Sequence, residues 1–331
     1  MNKIDLAGRP AARIAFLCLI AVSLTGAVQA QTAAYPNKTV RVIVPFPAGG
    51  LVDTIGRTLM QEIASSIGQT IVVENRGGAG GSIGAAVVAQ APSDGYTLLL
   101  ALDTHAINPL VYKKLPYDTE KDFLPISLVA RAPMVAVANE DFPPNSIGEL
   151  VKYAKEHPDA VNFASVGAGS SGHLTAELFN MNANVAMTHV PYKGGAPAQV
   201  ELMGGRVQLM WGTAPYAQSL VKAGKIKALG QASARRSAAF PSLPTLAEQG
   251  FPRFEAYGWI GLLAPAGTPP SIVAFWIRQL TEAVKKPAIA KRLTEQGFEL
   301  VVSSSESFSA FIQEEQKTWG MVIKEKNIPL Q

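Results

Sequence analysis

The sequence predicts an α/β protein large enough for two lobes, and three observations carry that reading. From Thr39 onward, β-branched apolar runs alternate with amphipathic stretches, the pattern of strands and helices in an α/β fold. Of 331 residues 48% are hydrophobic and only 16% charged, against roughly 25% charged in an average soluble domain, so a large core is available for burial. The length also exceeds the roughly 100–200 residues of a typical single domain. With 29 basic and 25 acidic residues the formal charge is +4, and no long Lys/Arg cluster occurs, which excludes a nucleic-acid binder.

The first thirty residues stand apart from this pattern. Lys3, Arg9 and Arg13 form a basic start, Ile14 to Leu24 a short apolar run, and Val28-Gln29-Ala30 places small residues at the usual cleavage positions. This predicts a signal peptide over residues 1–30, cleaved near Ala30, and hence export to the periplasm. The apolar run is shorter than the roughly 20 residues needed to span a bilayer. Cys18, the only cysteine, is preceded by Leu17 rather than by a small residue, so a lipid anchor is not expected. The mature chain then has no thiol for a disulfide, a metal or a nucleophile.

In the mature chain Thr39–Phe46 is the first predicted strand, and Val52, Ile55, Leu59, Ile63 and Ile67 follow at helical spacing. Gln69–Glu74 is a second strand, Ser82–Gln90 a helix, Ser93-Asp94-Gly95 a turn, and Tyr96–Leu102 a third strand. Phe123–Asn139 is one long apolar stretch. Ser146-Ile-Gly-Glu149 forms a capping box opening a helix to about His157. Strands are expected near Val161–Val166, Ala186–Tyr192, Gln208–Gly212 and Lys227–Ala232, with helices beginning near Ser171, Ala196 and Pro215, enough for a second sheet. After a turn-rich segment, Tyr257–Ala264 is strand-like, Thr268-Pro-Pro-Ser271 leads into a helix carrying Ile272, Phe275, Trp276 and Leu280, and a last helix starts at about Ser305.

Several motifs carry candidate chemistry. Pro45-Phe46-Pro47-Ala48-Gly49-Gly50 lies between the first strand and its helix, with Asp53 just inside that helix. Its backbone amides at a helix start suit an anion, or else this is an ordinary connection capped by Asp53. Arg76-Gly-Gly-Ala-Gly-Gly-Ser82 is a second glycine-rich helix entry. Gly167-Ala-Gly169-Ser170-Ser171-Gly172 matches G-x-G-x-x-G after a strand, but the next strand ends in Tyr192-Lys193 and offers no acid for a ribose, so no nucleotide cofactor is expected. Neither Ser170 nor Ser171 sits in G-x-S-x-G, and a helix-start serine serves as a cap or as a donor to a carboxylate. His105, His157, His173 and His189 form no metal-binding pair, so no metal site is expected. Tyr192, Trp211, Tyr257 and Trp259 are read either as pocket walls or as core, and Lys193 as a ligand partner or a solvated loop lysine.

The order of these motifs is more specific than any one of them. Pro45-Phe-Pro-Ala-Gly-Gly50 with Asp53-Thr-Ile-Gly-Arg57, Glu74-Asn-Arg-Gly-Gly-Ala-Gly-Gly81, Asp94-Gly-Tyr-Thr97, His105-Ala-Ile-Asn-Pro109, Gly169-Ser-Ser-Gly-His-Leu174 and Val190-Pro-Tyr-Lys-Gly-Gly195 closely resemble the Bug family of extracytoplasmic solute receptors, the binding component of tripartite tricarboxylate transporters. The resemblance spans essentially the whole mature chain.

It implies a two-lobed periplasmic binding protein of type II, a Venus-flytrap with two crossing strands. The lobes would be 31–132 with 255–331, and 133–254. It further implies a binding protein rather than an enzyme, expected as a monomer without cofactor, whose partners are a small organic carboxylate and transporter membrane subunits. Two alternatives are an orphan receptor for a signalling system and, less favoured, a secreted serine hydrolase. Carried onto this sequence, the ligand-binding residues would be Phe46, Pro47, Ala48, Gly49, Gly50, Asp53, Thr104, His105, Gly169, Ser170, Ser171, Tyr192 and Thr213.

Two departures from the family pattern stand out. The first turn reads Gly49-Gly-Leu-Val-Asp53 where Gly-Gly-Pro-Thr-Asp is common, and the usual Phe-Asp-Asn is Trp211-Gly212-Thr213. Loss of that acid removes a partner for an amino group and favours a non-amino acid ligand, aromatic or dicarboxylic.

Overall fold

Strand β1 (Val40–Val44) starts the described part of the sheet, and every side chain in it but that of Arg41 is buried. The structure is a computed structural model and describes residues 35–331. The expected signal peptide over residues 1–30, with Cys18, lies outside the described residues. Among the described residues no helix is long and apolar enough to cross a membrane.

After β1 come α1 (Leu51–Ile67), β2 (Ile71–Asn75), a short 3-10 turn (Ala79–Gly81), α2 (Ser82–Ala89), β3 (Thr97–Leu102), α3 (Thr104–Val111) and the seventeen-residue strand β4 (Phe123–Asn139). The chain continues with α4 (Ile147–Glu156), β5 (Asn162–Ser165), α5 (Ser171–Ala183), β6 (Thr188–Pro191), α6 (Gly195–Met203), β7 (Leu209–Thr213), α7 (Ala214–Lys222) and β8 (Ile226–Gln231). It closes with β9 (Tyr257–Pro265), α8 (Pro270–Lys285), α9 (Pro287–Glu295), β10 (Glu299–Leu300) and α10 (Ser305–Glu325).

The strands hydrogen-bond in the order β2-β1-β3-β9-β4-β7-β5-β6, with β8 and β10 also on β4. β1 runs parallel to β2 and β3, and β5 parallel to β6 and β7, while β4 and β9 are antiparallel to their neighbours. The strands after Asn139 form the second sheet the sequence suggests, and it is joined to the first through β4, whose Phe123–Pro133 part pairs with β9 and whose Met134–Asn139 part pairs with β7 and β8. A strand this long, buried along nearly its whole length, needs partners at both ends.

Each part of the sheet has its own core. Ile43, Leu99, Phe123, Trp259, Leu263, Phe308 and Ile312 pack around the first, and Phe163, Leu174, Phe179, Trp211, Phe254 and Trp319 around the second. The α4 start behaves as a modified capping box. Ser146 Oγ accepts from Glu149 N at 3.1 Å, but the Glu149 carboxylate accepts from Asn145 N, one residue earlier than the motif prescribes.

Candidate functional site

In a sheet of parallel strands with returning helices, ligands meet the turns beyond the carboxyl ends of the strands. Here those turns hold the sequence-predicted residues. Phe46–Gly50 follow β1, Thr104 and His105 follow β3, Gly169–Ser171 follow β5, Tyr192 follows β6, and Thr213 ends β7.

The structure brings five of them onto one cavity of about 560 Å³: Phe46, Thr104, Gly169, Ser170 and Tyr192. Lys193 is the one charged side chain lining it. Ser171 and Thr213 line an adjoining cavity of about 140 Å³, and Val166 lines both. The turn residues Pro47, Ala48, Gly49 and Gly50 are exposed and do not line either cavity. His105 is buried, edge-on to Phe123 at 4.8 Å and stacked on Tyr117 at 6.2 Å. Its burial pushes the imidazole down to about 4, so it is a neutral core residue.

The start of α5, which lines the large cavity, and that of α1, which follows the turn leading on from Phe46, lack a side-chain cap. At α1 the N-cap is Gly50, which has no side chain to offer. At α5 the N-cap is Ser170, whose hydroxyl turns back to donate to Gly167 O at 2.7 Å instead of accepting from the helix. The leading amides of both helices are therefore available to an anion, with the macrodipole in its favour. The first turn is shaped from behind: Asp53 accepts from Gly49 N and Asn75 Nδ2, each at 2.9 Å, and pairs with Arg57 at 3.0 Å. Gly49 itself lies at φ +78°, a conformation a side chain would resist. Burial raises the Asp53 pKa, but the donors Arg57, Gly49 and Asn75 outweigh it and hold the carboxyl below its ordinary range.

The Gly167–Ser171 loop is fastened in the same way. Ser165 Oγ donates to Gly167 O at 2.9 Å, and His173 Nδ1 accepts from Gly169 N at 3.0 Å. That bond requires Nδ1 without a proton, which puts the remaining proton of the neutral ring on Nε2, facing Glu177 at 3.9 Å. His173 stacks on His189 at 3.7 Å. Burial holds both rings at about 4, and the cost of charging two stacked imidazoles together further depresses His189.

Ser171 donates to the carboxyl of Asp103, a buried residue at the start of α3. Burial lifts Asp103 to about 6. Glu315 on α10 is lifted to about 7, first by burial and also by the charge of Asp103, while Trp319 Nε1 at 3.0 Å and Trp259 Nε1 at 3.2 Å donate to it. With the two hydroxyls directed to Gly167 O and Asp103, neither serine is oriented by a histidine, as a nucleophile requires.

The sequence reading missed several neighbours. Asn108 lines the large cavity and donates to Gly80 O at 3.0 Å, tying the second glycine-rich turn to α3. Gln331 reaches the same cavity, its side chain donating to Ala168 O at 2.7 Å and its backbone to Val111 O at 2.7 Å. Of the aromatics left open, Tyr192 lines the large cavity, Trp211 walls the smaller, Trp259 is core, and Tyr257 lies elsewhere, under the guanidinium of Arg131 at 4.1 Å.

The model of the tripartite tricarboxylate transporter family receptor matches residues 55–328. Protein BugT of Bordetella pertussis is 36% identical over 298 residues, 89% of this chain and 91% of BugT. A Rhodopseudomonas palustris structure with adipate superposes with a TM-score of 0.80 at 34% identity, covering 90% of this chain and all of that one. MatC from Rhodopseudomonas palustris with bound malate gives 0.75 at 35%, covering 87% of this chain and all of MatC. With that match, that coverage and a continuous α/β sheet crossed by β4 and β9, the chain belongs to the tripartite tricarboxylate transporter receptors, the Bug-type two-lobed periplasmic binding proteins, which are solute receptors rather than enzymes.

Proposed function

We propose that this chain captures a small organic carboxylate in the cavity of about 560 Å³ and delivers it to the membrane subunits of a tripartite transporter. The observation that carries this reading is the start of α5 at Ser170, not capped by a side chain and lining a cavity without an arginine, with the likewise uncapped start of α1 following the turn that leads on from Phe46. Similar proteins solved with adipate and with malate support the ligand class. Charge-assisted amide contacts contribute about 1.5–3 kcal/mol each, so a few of them with burial of the ligand body reach the roughly 8 kcal/mol of micromolar binding.

In this reading the chain is exported, loses residues 1–30 near Ala30, and works as a monomer. Residues 31–132 with 255–331 form one lobe and 133–254 the other, joined by β4 and β9. An anion touching both lobes stabilises the closed form over the open one, and the closed form is what the membrane subunits recognise. Calorimetry on the mature protein tests it. Among acids found by thermal-shift screening, the methyl ester of each is expected to bind at least a hundredfold more weakly than the parent. An ester equal to its acid overturns the reading.

A further inference from the structure

The smaller cavity, of about 140 Å³, has a composition unlike the larger one. Its walls are Met134, Val166, Met210, Trp211 and Tyr216, with the backbone of Gly172 and Gly212 filling the gaps. Of the polar atoms that accompany these walls, the Tyr216 and Ser171 hydroxyls are engaged elsewhere, while Trp211 Nε1 is buried without a partner. The Tyr216 hydroxyl donates to Gly195 O at 2.9 Å, and Ser171 donates to Asp103. Trp211 is held among Phe179 and Phe254, with ring centroids at 5.6 and 5.8 Å. Among the lining residues there is no charged side chain, and Thr213 is the one hydroxyl without another engagement.

The cavity adjoins the candidate anion site. Val166 belongs to both cavities, and Ser170 and Ser171, consecutive at the start of α5, line one each. Small residues maintain the space. A methyl group on Gly212 would lie 2.7 Å from the Tyr216 ring, and one on Gly172 2.5 Å from Trp211 O.

Resting on the carboxylate reading above, we infer that the ligand is a monocarboxylate with an apolar body of about six carbons, its acid group at the start of α5 and its body against Trp211, Met134 and Met210. An apolar cavity of about 150 Å³ accepts benzene, so 140 Å³ matches a ring or a six-carbon chain. A second carboxylate, an ammonium or several hydroxyls in this space would give up water with only Thr213 and the unpartnered Trp211 Nε1 to replace it, so short polyfunctional acids are disfavoured.

Calorimetric titration of the mature protein with propionate, butyrate, hexanoate and octanoate tests the inference, with benzoate as the ring and malate as the polar comparison. Affinity is expected to rise about threefold to fourfold per methylene up to hexanoate, as burial of a CH₂ group predicts, and then to level off. Benzoate should fall within fivefold of hexanoate, and malate at least tenfold below it. Met134→Phe, which fills the cavity, should flatten the series beyond butyrate. Val166→Phe, at a 43% exposed position, is the second variant and should also flatten the series. Malate binding more tightly than hexanoate, or a flat series in the unmodified protein, overturns the apolar subsite and leaves the carboxylate reading intact. Failure of every carboxylate to bind overturns both.

Discussion

The backbone N–H of Gly49 donates to the carboxylate of Asp53 at 2.9 Å, so the acid that follows the first turn serves the turn itself. The same carboxylate receives Asn75 and Arg57, and Asn75 also donates to Phe46 O at 3.0 Å. The path runs from one buried acid to the backbone on both sides of Pro47.

Asp53→Ala is therefore expected to cost about 2–4 kcal/mol of stability, the loss of a buried acceptor with charged and neutral donors left unpaired. Asp53→Asn keeps one acceptor oxygen and should cost less than half as much. Urea denaturation decides it. An alanine variant within 0.5 kcal/mol of the parent would show that the turn keeps its shape without Asp53.

Most strands were legible in the sequence to within a few residues because β-branched runs and glycine-rich turns mark both their cores and their ends. Helix α3 was missed because it has only eight residues and Pro109 interrupts it. Helix α9 was missed because Lys286-Pro287 follows α8 with no loop between. Phe46, Ser170 and Tyr192 were legible as site candidates because their turns carry proline and glycine. Asp103, Asn108 and Met210 carry no such local signal: each reaches the cavities or Ser171 only through the topology of the sheet. His105 looked like a site residue and packs as core, since a motif does not reveal which way a helical side chain points.

His173 and His189 test the electrostatics of the second loop. Both are held at about 4, below the ordinary histidine value near 6.5, so the unfolded chain takes up protons first as the pH falls. Their contribution to stability is present above about 6.5 and lost progressively toward 4. NMR titration of the two imidazole C2 protons should show midpoints below 5, with the Gly169 amide shifting alongside His173. A midpoint near 6.5 for His173 would mean that Nδ1 is not held as the acceptor of that amide.

Glu315 carries the opposite sign. Its folded value of about 7 lies above the ordinary 4.5, so the folded state binds the extra proton, and the stabilisation is complete below about 4.5 and lost as the pH rises through 7. Glu315→Gln keeps an acceptor for Trp259 and Trp319 but has no charge to bury. Relative to the parent it should gain on the order of 2 kcal/mol at pH 8 over its value at pH 4.5. Equal differences at the two pH values, from guanidinium melts, would place the proton elsewhere. Because Asp103 shares this sign and the histidines oppose it, the effect is read from the variant rather than from the parent's own pH profile.

Two glycine-to-alanine changes separate space from propensity. In α5, a methyl group on Gly172 would meet Trp211 O at 2.5 Å, a backbone atom that cannot rotate aside, so α5 and β7 must part. Overpacking of this kind costs about 1–3 kcal/mol. In α4, Gly148 is exposed with nothing within 4 Å of the added methyl, and there alanine should stabilise by about 0.5–1 kcal/mol through helix propensity and a less flexible unfolded chain. The same chemical change thus has opposite signs at two helix starts. The Gly172 variant carries a second consequence, because Ser170 and Ser171 lie immediately before it: displacing α5 from β7 moves both away from Thr213. Urea midpoints for the pair, measured together, decide the matter. If Gly172→Ala stabilises as Gly148→Ala does, the close approach of α5 to Trp211 is not what holds the second loop in place.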